Sequence, residues 1–243
     1  MLERYTHRYE WTIPDYDCDP FMRLTAPAVL RYMQHAATTH FDRLGFPYER
    51  LYQEGIVFVL VAAGIKFYKS PERGQRVIVA TCPIEGKGAQ LFRETVILSE
   101  QEELLIEGQF SWAMLNPSSQ RLLRVSNFHY GMPLLEDWNP FFDPSRLRIN
   151  VPNMPLGLKE VQLSDLDRNL HMNNAVYAEV LLNAYAPRIM GRELDSLFLR
   201  YRTQARLGEK MALFGDGDGE TFSIAAKIEG KPCFEGKFCL KSS

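Results

Sequence analysis

Residues 164–185 read "SDLDRNLHMNNAVYAEVLLNAY", with two Asp, three Asn and one His in the first eleven positions, followed by an apolar helical pattern. A polar cluster at a helix start usually satisfies backbone N–H groups that have no intrahelical partner. Asn173 or Asn174 can cap the helix, and Asp165 and Asp167 suit its positive end. Capping accounts for one Asn and one carboxylate. It does not account for Asp167, Asn169 and His171 standing at alternate positions.

A second copy of this scaffold precedes it. "IPDYDCDPF" (13–21) and "LSDLDRNLH" (163–171) align without a gap, placing Asp15 on Asp165, Asp17 on Asp167, Asp19 on Asn169 and Phe21 on His171. In the first copy, a strand over 4–14 leads to a helix over 26–44 and strands at 56–68, 75–85, 90–99 and 103–115. In the second, a strand over 158–164 leads to a helix over 174–190 and strands at 195–204, 209–216, 220–228 and 232–241. Periodicity of 3.6 marks the helices, and short apolar runs between Gly-rich turns mark the strands. The repeat is far longer than a solenoid unit of about 20–50 residues. The expected fold class is α+β, as two copies of one domain that wraps a sheet around a helix. The expected boundaries are 1–126 for the first half and 156–243 for the second. Between them, residues 127–155 carry five prolines with Trp138, Phe141 and Phe142, too aromatic for a floppy linker and expected to pack across both halves.

Composition bounds the possible functions. The 243 residues are 46% hydrophobic and 24% charged, those of an ordinary globular protein. A net charge of −2 provides no bulk attraction to nucleic acid or an anionic membrane. No apolar run approaches the roughly 20 residues that span a bilayer. The start, "MLERYTHRYEWTI", has no signal-peptide pattern, so a cytoplasmic location is expected. Cys18, Cys82, Cys233 and Cys239 form no CxxC pair and suit reduced structural thiols; the last two, six apart in one strand, are expected on one face. "DYDCDP" and "DLDRNL" open like calcium loops. An EF-hand needs Gly at position 6 and Glu at position 12, where these have Pro20 and Ala26, or Leu170 and Val176. With no phosphate loop and no GxSxG elbow, neither cofactor nor metal is expected.

"DLDRNLHMNNAVY" (165–177) resembles the D-x-D-x-N-x-H-x-N-N-x-x-Y signature of the acyl–acyl carrier protein thioesterases. The likeness extends over nearly the whole chain, including "DYDCDPFMRLTAPAVLRYMQHAATTH" and the Tyr201-Arg202 strand. It implies a tandem hotdog: two long helices, each wrapped by antiparallel strands of one joined sheet, with the acyl chain lodged between the halves. It places Asp167, Asn169 and His171 on the catalytic positions. Plant members carry a Glu-Cys pair in a Tyr-Arg-x-Glu-Cys context. Here "YRTQA" (201–205) has Gln204 and Ala205, which excludes a cysteine nucleophile there and leaves Gln204 to orient water or substrate by hydrogen bonds.

In that chemistry Asp167 activates water or attacks directly, Asn169 positions the water or the carboxylate, and His171 polarises the carbonyl or protonates the leaving thiolate. Asn173, Asn174 and Gln204 support the site. N–H groups at the start of the second helix offer an oxyanion hole. The apolar lining is expected from the first-half helix and the 56–68 strand. The implied partner is acyl carrier protein bearing a fatty acyl chain, docked on basic residues such as Arg200, Arg202 and Arg206. The chain would act as a monomer, an intramolecular pseudo-dimer, or as a homodimer. An acyl-CoA thioesterase and a non-hydrolytic acyl-binding protein on the same fold are the alternatives.

Overall fold

Ten strands of the sheet form one continuous path with a single junction between the halves, as seen in a computed structural model that describes residues 2–128 and 131–242. The strands are β1 (His7–Thr12), β2 (Val57–Phe67), β3 (Arg76–Lys87), β4 (Gln90–Ser99), β5 (Leu104–Leu115), β6 (Leu122–Leu123), β7 (Pro155–Glu160), β8 (Leu194–Tyr201), β9 (Lys210–Gly217), β10 (Thr221–Ile228) and β11 (Lys231–Leu240). Their order is β1-β3-β4-β5-β2-β8-β11-β10-β9-β7, with β6 on β5. The two halves repeat the same order outward from the β2–β8 seam. There Ala62, Gly64 and Lys66 face Arg200, Phe198 and Ser196 in antiparallel register. The seam converts two exposed edges into interior strands, which removes the aggregation hazard of each.

Helix α1 (Ala26–Arg43) starts where Thr25 Oγ1 accepts the Ala28 N–H, and Pro27 suits the first turn. Val29, Leu30, Met33 and Ala36 are buried against the sheet at helical spacing. Gly45, at φ +82°, ends the run in a conformation open to Gly. The short helix α2 (Tyr48–Gln53) follows. In the second half the expected 174–190 helix is broken into α3 (Asn174–Asn183) and α4 (Ala186–Ile189). Pro187 explains the break, because its ring cannot coexist with the helical carbonyl four residues before it.

Strand boundaries also differ, at β1, which covers only His7–Thr12 of the expected 4–14 because Leu2–Arg4 form a 3-10 turn, and at β7 and β8. The expected 158–164 strand is β7, which ends at Glu160; beyond it a 3-10 turn forms, in which Asp165 Oδ2 accepts the Gln162 N–H at 2.7 Å and meets Lys159 at 2.6 Å. β8 stops at Tyr201 because the N–H groups of Arg202 and Thr203 both turn to the Cys233 carbonyl. Cys233 and Cys239 do not share a face: irregular pairing along β11 leaves Cys233 buried and Cys239 half-buried. The segment before β7 crosses the sheet face opposite the helices. Phe142 covers Gly64 of β2 so closely that a Cβ there would strike its ring, and it meets Phe198 of β8 edge-on at 5.1 Å. Trp138 stacks on Phe92.

His7 and His40 stack with ring centroids 5.3 Å apart between β1 and α1. Burial, with Arg93 and Arg43 nearby and His35 also near His7, pushes both rings down to about 4. The unfolded chain takes up these protons near about pH 6.5. The stability tied to neutral rings is therefore complete above that pH and lost as pH falls towards 4. Thermal unfolding followed from pH 7 to pH 4 should show a falling Tm, with a shallower fall in a His7→Asn, His40→Asn double variant.

Candidate active site

The turn before α3 is built by its own side chains. Asp167 Oδ1 accepts the N–H groups of Asn169 at 2.8 Å and His171 at 3.3 Å, an Asx-type turn. The Asp167 N–H donates to the His171 carbonyl, and the chain passes through Leu170 at φ +60°. Met172 pairs back with Leu166 and donates its N–H to Ala205. These bonds point Asp167, Asn169 and His171 the same way while their backbone is fixed. Asp167 Oδ2 has no hydrogen-bond partner among the described residues. His171 Nδ1 is buried and equally unpartnered.

Asn173 caps α3, its side chain accepting the Ala175 N–H at 2.9 Å. The cap takes Ala175, while the Asn173 N–H goes to the Asp165 carbonyl and the Val176 N–H to Asn173. Of the first-turn donors expected to form an oxyanion hole, the Asn174 N–H has no hydrogen-bond partner among the described residues. Asn174 itself is tied down from two sides: its side chain donates to Gln34 of α1 at 3.2 Å, and its carbonyl accepts Tyr201 Oη at 3.0 Å.

The first half holds the same turn, two residues out of the register expected from sequence. Asp19 Oδ1 accepts the N–H groups of Phe21 and Arg23, the Asp19 N–H donates to the Arg23 carbonyl, Met22 stands at φ +64°, and Cys18 pairs with Leu24. Asp19 is thus the counterpart of Asp167, Phe21 of Asn169 and Arg23 of His171. Asp17 is instead the counterpart of Asp165. It is a buried structural carboxylate, bonded to Tyr32 at 2.7 Å and Arg31 at 3.0 Å. The gapless alignment erred because Asp recurs at every second position of "DYDCD", so either register matches carboxylate to carboxylate. In the first-half turn Arg23 closes on Asp19 through Nε and Nη2, at 3.0 and 2.9 Å. The histidine's position is thereby filled by a cation that occupies the carboxylate.

Asp167, Asn169 and His171 open on a cavity of about 1000 Å³ that also takes in Asn173, Asn174 and Gln204. It runs beneath α1, past Ala37 and Phe41, and is walled by β2, as expected, and also by β4 and β5. Sequence reasoning missed Tyr48, whose hydroxyl donates to Asn169 Oδ1 at 3.2 Å and whose ring lies 3.9 Å beneath the Arg168 guanidinium. A lone Tyr after a Gly-Phe-Pro turn carries no periodic signal. Gln34 was missed because its partner, Asn174, lies 140 residues away in sequence. Arg200, Arg202 and Arg206 border the cavity mouth, but Arg200 and Arg202 both pair with Glu235. No helix among the described residues is long and apolar enough to cross a membrane.

One joined sheet around two helices, with a polar turn at the start of the second, defines a tandem hotdog protein. The profile of the acyl-ACP thioesterase N-terminal domain matches residues 4–129, and that of the C-terminal domain matches residues 157–231. The chain belongs to the acyl-ACP thioesterase family. It is 23% identical over 91% of its length to the chloroplastic acyl-(acyl-carrier-protein) hydrolase FATB2 of Cuphea viscosissima, and spans 59% of that relative's length. Its fold is similar to an acyl-ACP thioesterase from Bacteroides thetaiotaomicron, with TM-score 0.86, 19% identity, and 96% of this chain and 97% of that one covered. The 12:0-ACP thioesterase of Umbellularia californica is also similar, with TM-score 0.83, 17% identity and 97% of each chain covered.

Removing the α3 cap with Asn173→Ala should cost about 1 kcal/mol in urea unfolding, whereas Asn173→Asp, which keeps the acceptor, should cost little.

Proposed function

We propose that the chain hydrolyses the thioester of a fatty acyl group carried on acyl carrier protein and releases the free acid, with Asp167, Asn169 and His171 as its catalytic residues. The observation that carries this reading is Asp167 Oδ2, which has no hydrogen-bond partner among the described residues, in a turn that lines a cavity of about 1000 Å³ together with His171 and Asn174. Family membership and the fold support it. Asp167 Oδ2 takes a proton from water, and the resulting hydroxide adds to the thioester carbonyl. The Asn174 N–H, at the positive end of α3, meets the oxyanion. His171, with Nδ1 unengaged, is a second donor to that oxygen. Collapse breaks the C–S bond, and the proton held by Asp167 passes to the departing thiolate.

Asn169 orients the water through its amide N–H₂, since Tyr48 already occupies its Oδ1. Gln204 lines the same cavity and offers further hydrogen bonds to water or substrate. The acyl chain extends beneath α1 into the first half. The carrier protein, acidic as a class, docks at the mouth near Arg168 and Arg206, and one chain carries one active site, acting in the cytoplasm. Comparing kcat/KM for the same acyl group on carrier protein and on coenzyme A separates this substrate from its closest rival.

Asp167→Asn should lower turnover of acyl carrier protein thioesters by at least about 10²-fold, read by thiol release. Asp19→Asn, in the counterpart turn, should leave turnover near wild type. Full activity in a folded Asp167→Asn variant would overturn the assignment.

A further inference from the structure

Arg93 of β4 is the one Lys or Arg that is buried among the described residues, at 4% exposure, and it lines the same cavity. Its Nη1 donates to Thr81 Oγ1 at 3.1 Å and to His40 Nδ1 at 3.2 Å, and its guanidinium lies over the Phe41 ring. Nε and Nη2 have no hydrogen-bond partner, and no carboxylate pairs with this cation, among the described residues. A buried, hydrogen-bonding cation is costly unless something compensates it. The obvious internal remedies are absent. His40 accepts from Arg93 through Nδ1 and is pushed down to about 4, so it stays neutral; Thr81 supplies a hydroxyl dipole alone. Burial likewise draws Arg93 down, to about 10, which still leaves it charged at neutral pH.

The position of this cation in the fold matters as much as its burial. Across the sheet β4 lies three strands from β8, so Arg93 stands roughly 14 Å from the β8 end of the cavity, at about 4.8 Å per strand. The wall between is mostly apolar, with Ala37, Phe41, Leu60 and Ala113. An acyl chain with its thioester at Asp167 would meet hydrocarbon first and a guanidinium with unclaimed N–H donors last.

We propose that Arg93 is a specificity residue, which favours acyl chains carrying an oxygen (hydroxyl, carbonyl or carboxylate) far from the thioester. Nε and Nη2 form a two-donor fork for such an oxygen. A methyl-ended chain reaching the same depth leaves that fork desolvated and unpaired. A site built to bond a substrate oxygen discriminates against the analogue that lacks it far more than an apolar pocket discriminates by one methylene. This inference rests on the acyl-thioesterase reading of the cavity.

The test is a set of carrier-protein thioesters in matched pairs of graded length, methyl-ended and ω-hydroxy, assayed with wild type, Arg93→Met and Arg93→Lys. At one chain length wild type should show a kcat/KM for the hydroxy member at least about 10-fold higher, carried mainly by KM. Arg93→Met, of similar length and uncharged, should abolish that preference and improve turnover of the methyl-ended member, while Arg93→Lys should keep part of the preference. Equal kcat/KM for both members in wild type, or a preference that survives Arg93→Met, would overturn the role of Arg93 and leave the thioesterase reading intact. A longer optimum in Arg93→Met without any oxygen preference in wild type makes the residue an end stop and likewise overturns it. Hydrolysis of neither series strikes at the thioesterase reading. Calorimetric binding of the free hydroxy and methyl-ended acids to wild type and Arg93→Met then still decides the contact: tighter hydroxy-acid binding in wild type alone supports it, and equal binding overturns it.

Discussion

The pairing of β2 with β8 is the constraint on which the rest depends. Each half alone would expose a long apolar edge strand and one unpacked side of its helix. Five residue pairs along the seam, from Ala62–Arg200 to Lys66–Ser196, close both edges at once. They also bring α1 of one half against α3 of the other, which is where Gln34 reaches Asn174. The turn at 167–171 is thus placed over a cavity whose depth belongs to the first half. Phe142 reinforces the joint from the opposite face, in a space that only Gly64 leaves open.

The two turns share one scaffold and differ in what their side chains do with it. Backbone geometry is nearly the same: an aspartate accepting two N–H groups, a left-handed residue, a bridge, and a capping side chain before the helix. The difference is local electrostatics. Arg23 neutralises Asp19 directly, and its Nη1 is spent on the Gly191 carbonyl. His171 carries no such cation fork, and Asp167 Oδ2 has no partner among the described residues. The asymmetry comes down to which side chain follows the left-handed residue.

Much of this was legible in the chain itself. Capping residues, helical periodicity and the repeat gave the two-copy α+β organisation, and the polar spacing at 165–174 marked the turn. The register of the repeat was not legible, since alternating aspartates fit two alignments equally and only the hydrogen bonds of Asp19 and Asp17 distinguish them. The break in the second helix was foreshadowed by Pro187, but an apolar pattern running through it hid the stop. Tyr48, Gln34 and Arg93 left no trace for a different reason. Each acts through a partner far away in sequence, and an Arg inside "LFRETV" looks like the polar side of an ordinary strand until the sheet curls over it.

In the proposed function one turn of the two is chemically competent, and the first half supplies the space for the acyl chain. The most direct measurement is a crystal structure of the chain with acyl carrier protein bearing a hydrolysis-resistant thioether analogue. The account predicts the reacting end within hydrogen-bond reach, about 3 Å, of Asp167 and the Asn174 N–H, with the chain beneath α1 pointing towards β4. A reacting end seated at Asp19 and Arg23, or a chain lying within the second half alone, would contradict it.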